Sequence, residues 1–281
     1  QALIRKTVEY AQQKNGSAIV VTFNPHPQAL LSPEKGHSRI FSLKDQQVQL
    51  EKLGVRGLFR QSFSREFSQL SPQDFVEKFI VNYFHPSLVC VGEDFRFGAF
   101  RAGSGVLLEE LGKKFGFATS ILPPVILADE VVSTSKIKKY LQSGDMDKAN
   151  LFLGRYYSIQ GLIEAGEGRG RQLGFPTANV NPDVEFSPRQ GVYVCQVHIK
   201  SEAEPVRAVM NIGVNKTFVT GEAPLKFEVH LLDWNKNLYG QNLKVELMHF
   251  IRPEKKFSSV NELRNQIQKD ITVRIFLTAL K

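Results

Sequence analysis

The segment RGRQLGFPTANV, residues 169–180, gathers side chains that together could handle phosphate. Its glycines let backbone N–H groups approach an anion closely, and its arginines supply positive charge. Pro176 fixes its own φ and donates no hydrogen bond, so Thr177 starts from a rigid turn. Thr177 and Asn179 lie two apart, which on extended backbone points both to one side. They present a hydroxyl and an amide oxygen, and both suit Mg²⁺, a hard cation that prefers oxygen. The same residues also suit a surface turn leading into a strand, and composition alone leaves both readings open.

A carboxylate for proton transfer is present further on. In LKFEVHLLDW (225–234), Leu225, Phe227, Val229 and Leu231 share one face of a strand, while Lys226, Glu228 and His230 share the other. A lone strand glutamate is usually solvated. The company of the Thr/Asn pair makes Glu228 a candidate general base, because phosphoryl transfer to a hydroxyl needs a group to accept the proton. Arg252 and Glu254 in IRPEKKF (251–257) read either as part of a site or as a salt-bridged turn. NIGVNKTF (211–218) reads as a Gly- and Asn-rich loop or a hairpin turn.

These residues need elements to position them. Between residues 17 and 126, apolar runs at 17–23, 55–59, 87–92 and 117–126 alternate with helical patterns at 42–54, 71–84 and 105–116. That alternation predicts a parallel sheet covered on both faces. Helical stretches at about 135–142 and 145–153 follow. After Gly154 the period becomes two, with strands expected at 157–165, 191–200, 206–214, 225–234 and 242–251. Consecutive short strands without helices predict an antiparallel barrel. An amphipathic helix at 258–280 closes the chain, and the boundary between the halves falls within 145–157.

The bulk numbers bound the partners. The chain has 281 residues, 42% of them hydrophobic, which suits two globular domains. No apolar run approaches the roughly 18 residues of a membrane span. Cys90 and Cys195 lie far apart in apolar runs and read as reduced core thiols of a cytoplasmic protein. The net charge of +8 fits nucleotides and nucleic acid equally well. The chain opens in mid-helix on QALIRKTVEYAQQKNG, with no capping residue ahead of it.

Taken in order, RGRQLGFPTANV, GVYVCQV, NIGVNKTF, FEVHLLDWNKNLYG and FIRPEKKFSSVNELRNQIQKDI resemble the riboflavin kinase domain. The whole chain resembles the prokaryotic bifunctional riboflavin kinase/FMN adenylyltransferase (FAD synthetase) family. The resemblance implies an α/β nucleotidylyltransferase-like, doubly wound parallel sheet over residues 1–152. It implies an antiparallel β-barrel with a C-terminal helix over 153–281. It further implies Mg²⁺-dependent phosphorylation of riboflavin by ATP to FMN, and adenylylation of FMN to FAD. On this likeness Thr177 and Asn179 sit at Mg²⁺ and the terminal phosphates of ATP, and Gly168, Gly170, Arg171, Gly174 and Pro176 line that nucleotide. Glu228 matches the general base, and Arg252 and Glu254 match a flap over riboflavin.

For the first domain the resemblance assigns Asn24 and His26 of FNPHP, Asp94 and Arg96 of VGEDFRFGAFRAG, and Thr134, Ser135 and Lys138 of VVSTSKIKKY. Asp94 and Arg96 follow an expected parallel strand, where such sheets bind ligands, and Thr134 and Ser135 open a helix, whose free N–H groups favour phosphate. Lys136 and Lys138 stand where the family usually has an arginine, which trades a bidentate fork for a point charge. The family also carries a His-x-Gly-His-like pattern ahead of the helix that begins QALI. Its absence here implies a truncated first domain and curtailed FAD synthesis. The implied partners are small molecules, with neither nucleic acid nor membrane. Two other readings stay open: a kinase with a non-catalytic first domain, and a basic RNA-binding barrel. The latter would carry exposed aromatic and basic stacking platforms, and the apolar and acidic content of 225–234 argues against it.

Overall fold

Serine side chains set the starts of most helices in the first half. A computed structural model describes residues 1–36, 38–166, 170, 174–182, 184–214 and 225–279. The first elements are α1 (Ala2–Gln13), β1 (Ile19–Asn24), α2 (Pro27–Leu31), α3 (Leu43–Lys52), β2 (Gly57–Ser62) and α4 (Arg65–Ser68). Ser42 caps α3 by accepting from the Asp45 N–H at 3.1 Å, and Ser64 caps α4 in the same way. The helix expected at 71–84 is present in three pieces. They are α5 (Pro72–Asp74), a π-helical stretch Phe75–Val81, and α6 (Asn82–Phe84). The wider turn buries Phe75, Val76 and Phe79 together.

Next come β3 (Leu88–Gly92), β4 (Arg96–Phe97), β5 (Gly103–Ser104), α7 (Gly105–Phe115), β6 (Ala118–Leu122), β7 (Ile126–Leu127) and β8 (Glu130–Val131). The single strand expected over 117–126 is two. Pro123 and Pro124 cannot donate to a ladder, so β6 ends at Leu122 and the chain restarts in the β7–β8 hairpin. The parallel ladders are β1 with β2, from Ile19↔Gly57 to Asn24↔Ser62, and β3 with β6, from Leu88↔Ala118 to Gly92↔Leu122. Phe75, Val76, Phe79, Phe97, Leu108 and Leu111 form the core beside them, with Phe23, Phe59 and Phe67 packed against it.

The second half holds α8 (Thr134–Ser143), α9 (Met146–Leu153), β9 (Tyr157–Glu164), β10 (Ala178–Pro182), β11 (Gly191–His198), β12 (Val206–Val214), β13 (Leu225–Leu231), β14 (Asn242–Arg252) and α10 (Val260–Ala279). The six strands close a barrel in the order β10-β13-β12-β11-β14-β9. Its interior is filled by Ile159, Tyr193, Met210, Ile212, Val229 and Leu247, all fully buried. Residues 211–214 of NIGVNKTF belong to β12, while 215–218 lie outside the described residues. The chain divides into compact units Gln1–Val132 and Ser133–Lys281, so α8 and α9 belong with the barrel. Asn150 explains this: its amide donates to the carbonyls of Leu247 and Met248 at 3.1 and 3.2 Å and accepts from the Tyr157 N–H at 2.8 Å.

Two charged groups tie the barrel's outer surface. Arg252 at the end of β14 donates to the buried carboxylate of Asp270 on α10, from Nη2 at 2.7 Å and from Nε at 3.0 and 3.1 Å. The pair therefore fixes the C-terminal helix to the strand end. On β14, burial alone would push the Glu246 carboxyl up, but hydrogen bonds from Lys244, His198 and Gln196 outweigh it and hold it at about 2. The His198 and Gln196 contacts are 2.9 and 2.7 Å.

Replacing Arg252 by Ala leaves the buried Asp270 carboxylate without its cation and with only the Gln266 amide donating to it at 2.9 Å, so the variant should unfold at lower urea, with a loss of about 3–5 kcal/mol. A depressed carboxylate contributes stability that is fully present above its unfolded pKa and fades as pH falls through the folded one. For Glu246 that window runs from 4.5 down to about 2. Glu246→Gln should therefore flatten the fall in urea midpoint across this range, measured against the parent chain.

Candidate active site

Antiparallel register brings the oxygen-bearing residues of the barrel into one row. β10 and β13 pair Ala178↔Val229, Asn179↔Glu228 and Val180↔Phe227. Directly opposite residues share a sheet face with Cβ atoms about 4.5–5.5 Å apart. Phe227 and Val229 are buried, so Glu228 and Asn179 project from the other side, both half-buried. Thr177, two residues before Asn179, precedes the strand and is also half-buried. The row extends across the barrel, with Glu164 opposite Asn179 on β9 and Asn211 opposite Glu228 on β12. From Asn211 it passes through Val192 to Arg252.

Asn211 could have been found in the sequence by the period-two pattern of 206–214. Its match to a loop-like Asn/Gly segment concealed it. Among the described residues no side chain hydrogen-bonds the Glu228 carboxylate.

Glycines allow the chain to close over this row. A Cβ at Gly166 would collide with the Asn179 amide, and one at Gly170 would collide with the Phe175 carbonyl and stand 3.1 Å from Thr177 Oγ1. The Phe175 N–H donates to the Gly170 carbonyl at 2.9 Å. Gly174 has φ +87°, a conformation that favours glycine. Pro176 is exposed. Gly168 and Arg171, expected at the nucleotide, lie outside the described residues.

The two residues expected at a flap have definite surroundings. Arg252 is engaged by Asp270, and its guanidinium also lies 5.7 Å from the Phe257 ring centre. Glu254 rests its carboxylate on the backbone of Gly213, where any side chain would collide with it. Arg252 therefore anchors the start of the 253–257 turn, and Glu254 holds that turn against β12.

The residues expected at a second site fall on both units. Asn24 ends β1 and its Oδ1 accepts from Arg39 Nη2 at 2.7 Å. His26 caps α2 through Nδ1, which accepts from the Gln28 N–H at 3.2 Å. Asp94 follows β3, and Arg96 opens β4 with Nη1 donating to the Phe95 carbonyl at 2.7 Å. Asn24 and Asp94 thus stand at the carboxyl ends of parallel strands, where α/β sheets bind ligands. Thr134, Ser135 and Lys138 belong to the second unit. There Thr134 and Ser135 are the first residues of α8, but the cap is Ser133, whose Oγ accepts from the Lys136 N–H at 3.3 Å. Lys138 lies over the Phe186 ring at 5.6 Å.

Comparison with known proteins matches both units. Residues 153–275 fit the family model of riboflavin kinase and residues 1–136 that of FAD synthetase. A bifunctional riboflavin kinase/FMN adenylyltransferase of Haemophilus influenzae is 33% identical over 99% of this chain and 90% of its own length. One from Bacillus subtilis is 34% identical over 96% of this chain and 85% of its own. In fold, the chain is similar to a crystal structure described as a macrolide-efflux protein from Streptococcus pneumoniae, with TM-score 0.87 and 29% identity. That match covers 97% of this chain and 88% of the other. Among the described residues no helix is long and apolar enough to cross a membrane. With an antiparallel barrel behind the riboflavin kinase match and parallel ladders behind the FAD synthetase match, the chain belongs to the family of bifunctional riboflavin kinase/FMN adenylyltransferases.

Proposed function

We propose that the barrel unit transfers the γ-phosphoryl group of ATP to the terminal hydroxyl of the riboflavin ribityl chain, giving FMN and ADP. The observation that carries this reading is the β10–β13 register, which sets Asn179 directly across from Glu228. The hydroxyl oxygen bonds to the γ-phosphorus as the bond from that phosphorus to the β–γ bridging oxygen breaks. Glu228 accepts the hydroxyl proton, and ADP carries away the bond electrons. Such transfers rest mainly on positioning and charge stabilisation, so a proton acceptor held on a closed barrel suits the step.

Thr177 and Asn179 offer the oxygen ligands that a hard cation prefers, and Mg²⁺ is the ion the family implies. The donor set fits. Among the described residues no group of three or more His, Cys, Asp or Glu could hold a metal. A site with few protein ligands matches the habit of Mg²⁺ of keeping water and substrate phosphates in its shell. When bound, the ion neutralises charge on the transferring phosphates. Gly170 and Gly174 bring backbone near those phosphates, and Gly168 and Arg171 complete the loop in sequence. The Arg252–Glu254 turn covers the flavin side, with Arg252 acting through its anchor on Asp270 and Glu254 through its seat on Gly213.

Adenylylation of FMN to FAD is assigned to the α/β unit, supported by the FAD synthetase match over 1–136 and by Asn24, His26, Asp94 and Arg96 in its strand-end loops. Thr134, Ser135 and Lys138, which the resemblance assigns to the same activity, lie on α8 in the second unit. The domain boundary at 152/153 is kept for the catalytic halves, since the riboflavin kinase match begins at 153.

Glu228→Gln keeps shape and removes the proton acceptor, so FMN formation should fall about 10²- to 10⁴-fold while riboflavin still binds. Chromatographic assay of FMN within a few-fold of the parent would remove Glu228 from this role. Asn179→Ala should shift the Mg²⁺ titration of turnover to higher concentration, because Mg²⁺ tolerates an incomplete octahedral shell poorly. An unchanged titration would take Asn179 out of the metal site.

A further inference from the structure

Strand β13 carries a second side chain that meets the Phe175–Pro176 turn. The β10–β13 ladder ends at Ala178↔Val229, so one step further along the same register sets Thr177 across from His230. Glu228 and His230 are two apart on β13 and share a face. The carbonyl of Pro176 lies beyond the ladder, and His230 Nδ1 stands 2.8 Å from it. A carbonyl only accepts, so Nδ1 carries the proton. The imidazole also meets the Phe175 ring edge to face, with centres 5.6 Å apart and planes at 87°. Phe175 is in turn tied back to Gly170 by its N–H. The Phe175–Pro176 turn is therefore held from two directions, by Gly170 along the chain and by His230 from the neighbouring strand.

We infer that His230 is a positioning residue for phosphoryl transfer: by holding the Pro176 carbonyl it sets where Thr177 and Asn179 present their oxygens relative to Glu228. The inference rests on the kinase reading of this site. Its physical content is that the proton acceptor and the holder of the clamp share one strand. Glu228 and His230 are separated by a single pleat repeat of a closed barrel, so the distance from base to clamp is fixed by the strand and by one hydrogen bond. Without that bond, Pro176 can supply no N–H of its own to repair the turn. Thr177 would then follow a looser turn while Glu228 stayed in place.

The experiment compares His230→Ala, His230→Asn and His230→Gln in the full chain, with Glu228→Gln alongside. The Asn amide nitrogen falls where Nδ1 stood and can donate to Pro176, whereas the Gln amide nitrogen falls nearer the position of Nε2. Steady-state FMN formation should fall about tenfold or more in kcat for Ala, because misplacement of about 1 Å at a reacting site costs up to about 10²-fold. The Mg²⁺ needed for half-maximal turnover should rise, and KM for riboflavin should stay within about twofold, since a single neutral hydrogen bond elsewhere moves binding little. Asn should recover most of kcat and of the Mg²⁺ titration, and Gln should not.

Recovery by Gln but not Asn would show that Nε2 is the working atom and overturn the proposal. So would kcat and Mg²⁺ dependence near parental in Ala. Equal losses in all three variants, tracking a lowered thermal midpoint, would reduce His230 to packing and overturn it as well. Activity retained by Glu228→Gln would instead remove the kinase reading of the site, independently of how the His230 variants behave.

Discussion

The antiparallel register between β10 and β13 is the constraint on which the barrel site depends. A side-chain period of two means that a slip by one residue would turn Asn179 and Thr177 toward the interior and Ala178 toward the solvent face. The register is pinned because Val180 and Phe227 face each other from the buried side, at 4% exposure each, where a slip would bury polar groups instead. Apolar packing inside the barrel thus determines where the polar row stands outside it. Closure of the sheet removes free edges, so the row keeps its spacing without a separate scaffold.

The same logic governs the pieces that border the row. Where the chain must pass close to another segment of this row it uses glycine: Gly166 beside Asn179, Gly170 beside Phe175 and Thr177, and Gly213 beneath Glu254. Where a turn must be held it uses a buried or strand-borne group, Asp270 for Arg252 and His230 for Pro176. Rigid pieces on each side of the proposed site suit a reaction whose barrier is lowered chiefly by alignment and preorganised charge.

The parts of this arrangement that were legible in the sequence are those set by local pattern. Alternation in LKFEVHLLDW put Glu228 on the face opposite Phe227 and Val229, and the structure has that alternation in β13. Five of the six barrel strands follow from period-two runs. β10 stayed open between a turn and a strand because only Val180 among its five residues is buried, which leaves no alternating apolar signal. Long-range pairing was not legible. Nothing local says that Arg252 meets Asp270 eighteen residues later, or that His230 reaches back to Pro176. The helices α8 and α9 read as a way out of the first half, yet Asn150 binds α9 to β14 and β9, and the Arg189 N–H donates to the Leu141 carbonyl of α8, through backbone groups that carry no residue signature.

The central claim is that Asn179 and Glu228 act on one reacting phosphoryl group because the register sets them side by side. A double-mutant cycle on FMN formation measures this directly, using Asn179→Ala, Glu228→Gln and the double variant at saturating ATP and one fixed Mg²⁺ concentration at which Asn179→Ala alone is impaired. Groups that work as a unit give strongly non-additive losses. The account predicts that the double variant is little worse than Glu228→Gln alone. Losses that multiply, so that the double variant falls by the product of the two single effects, would show that the residues act independently and contradict it.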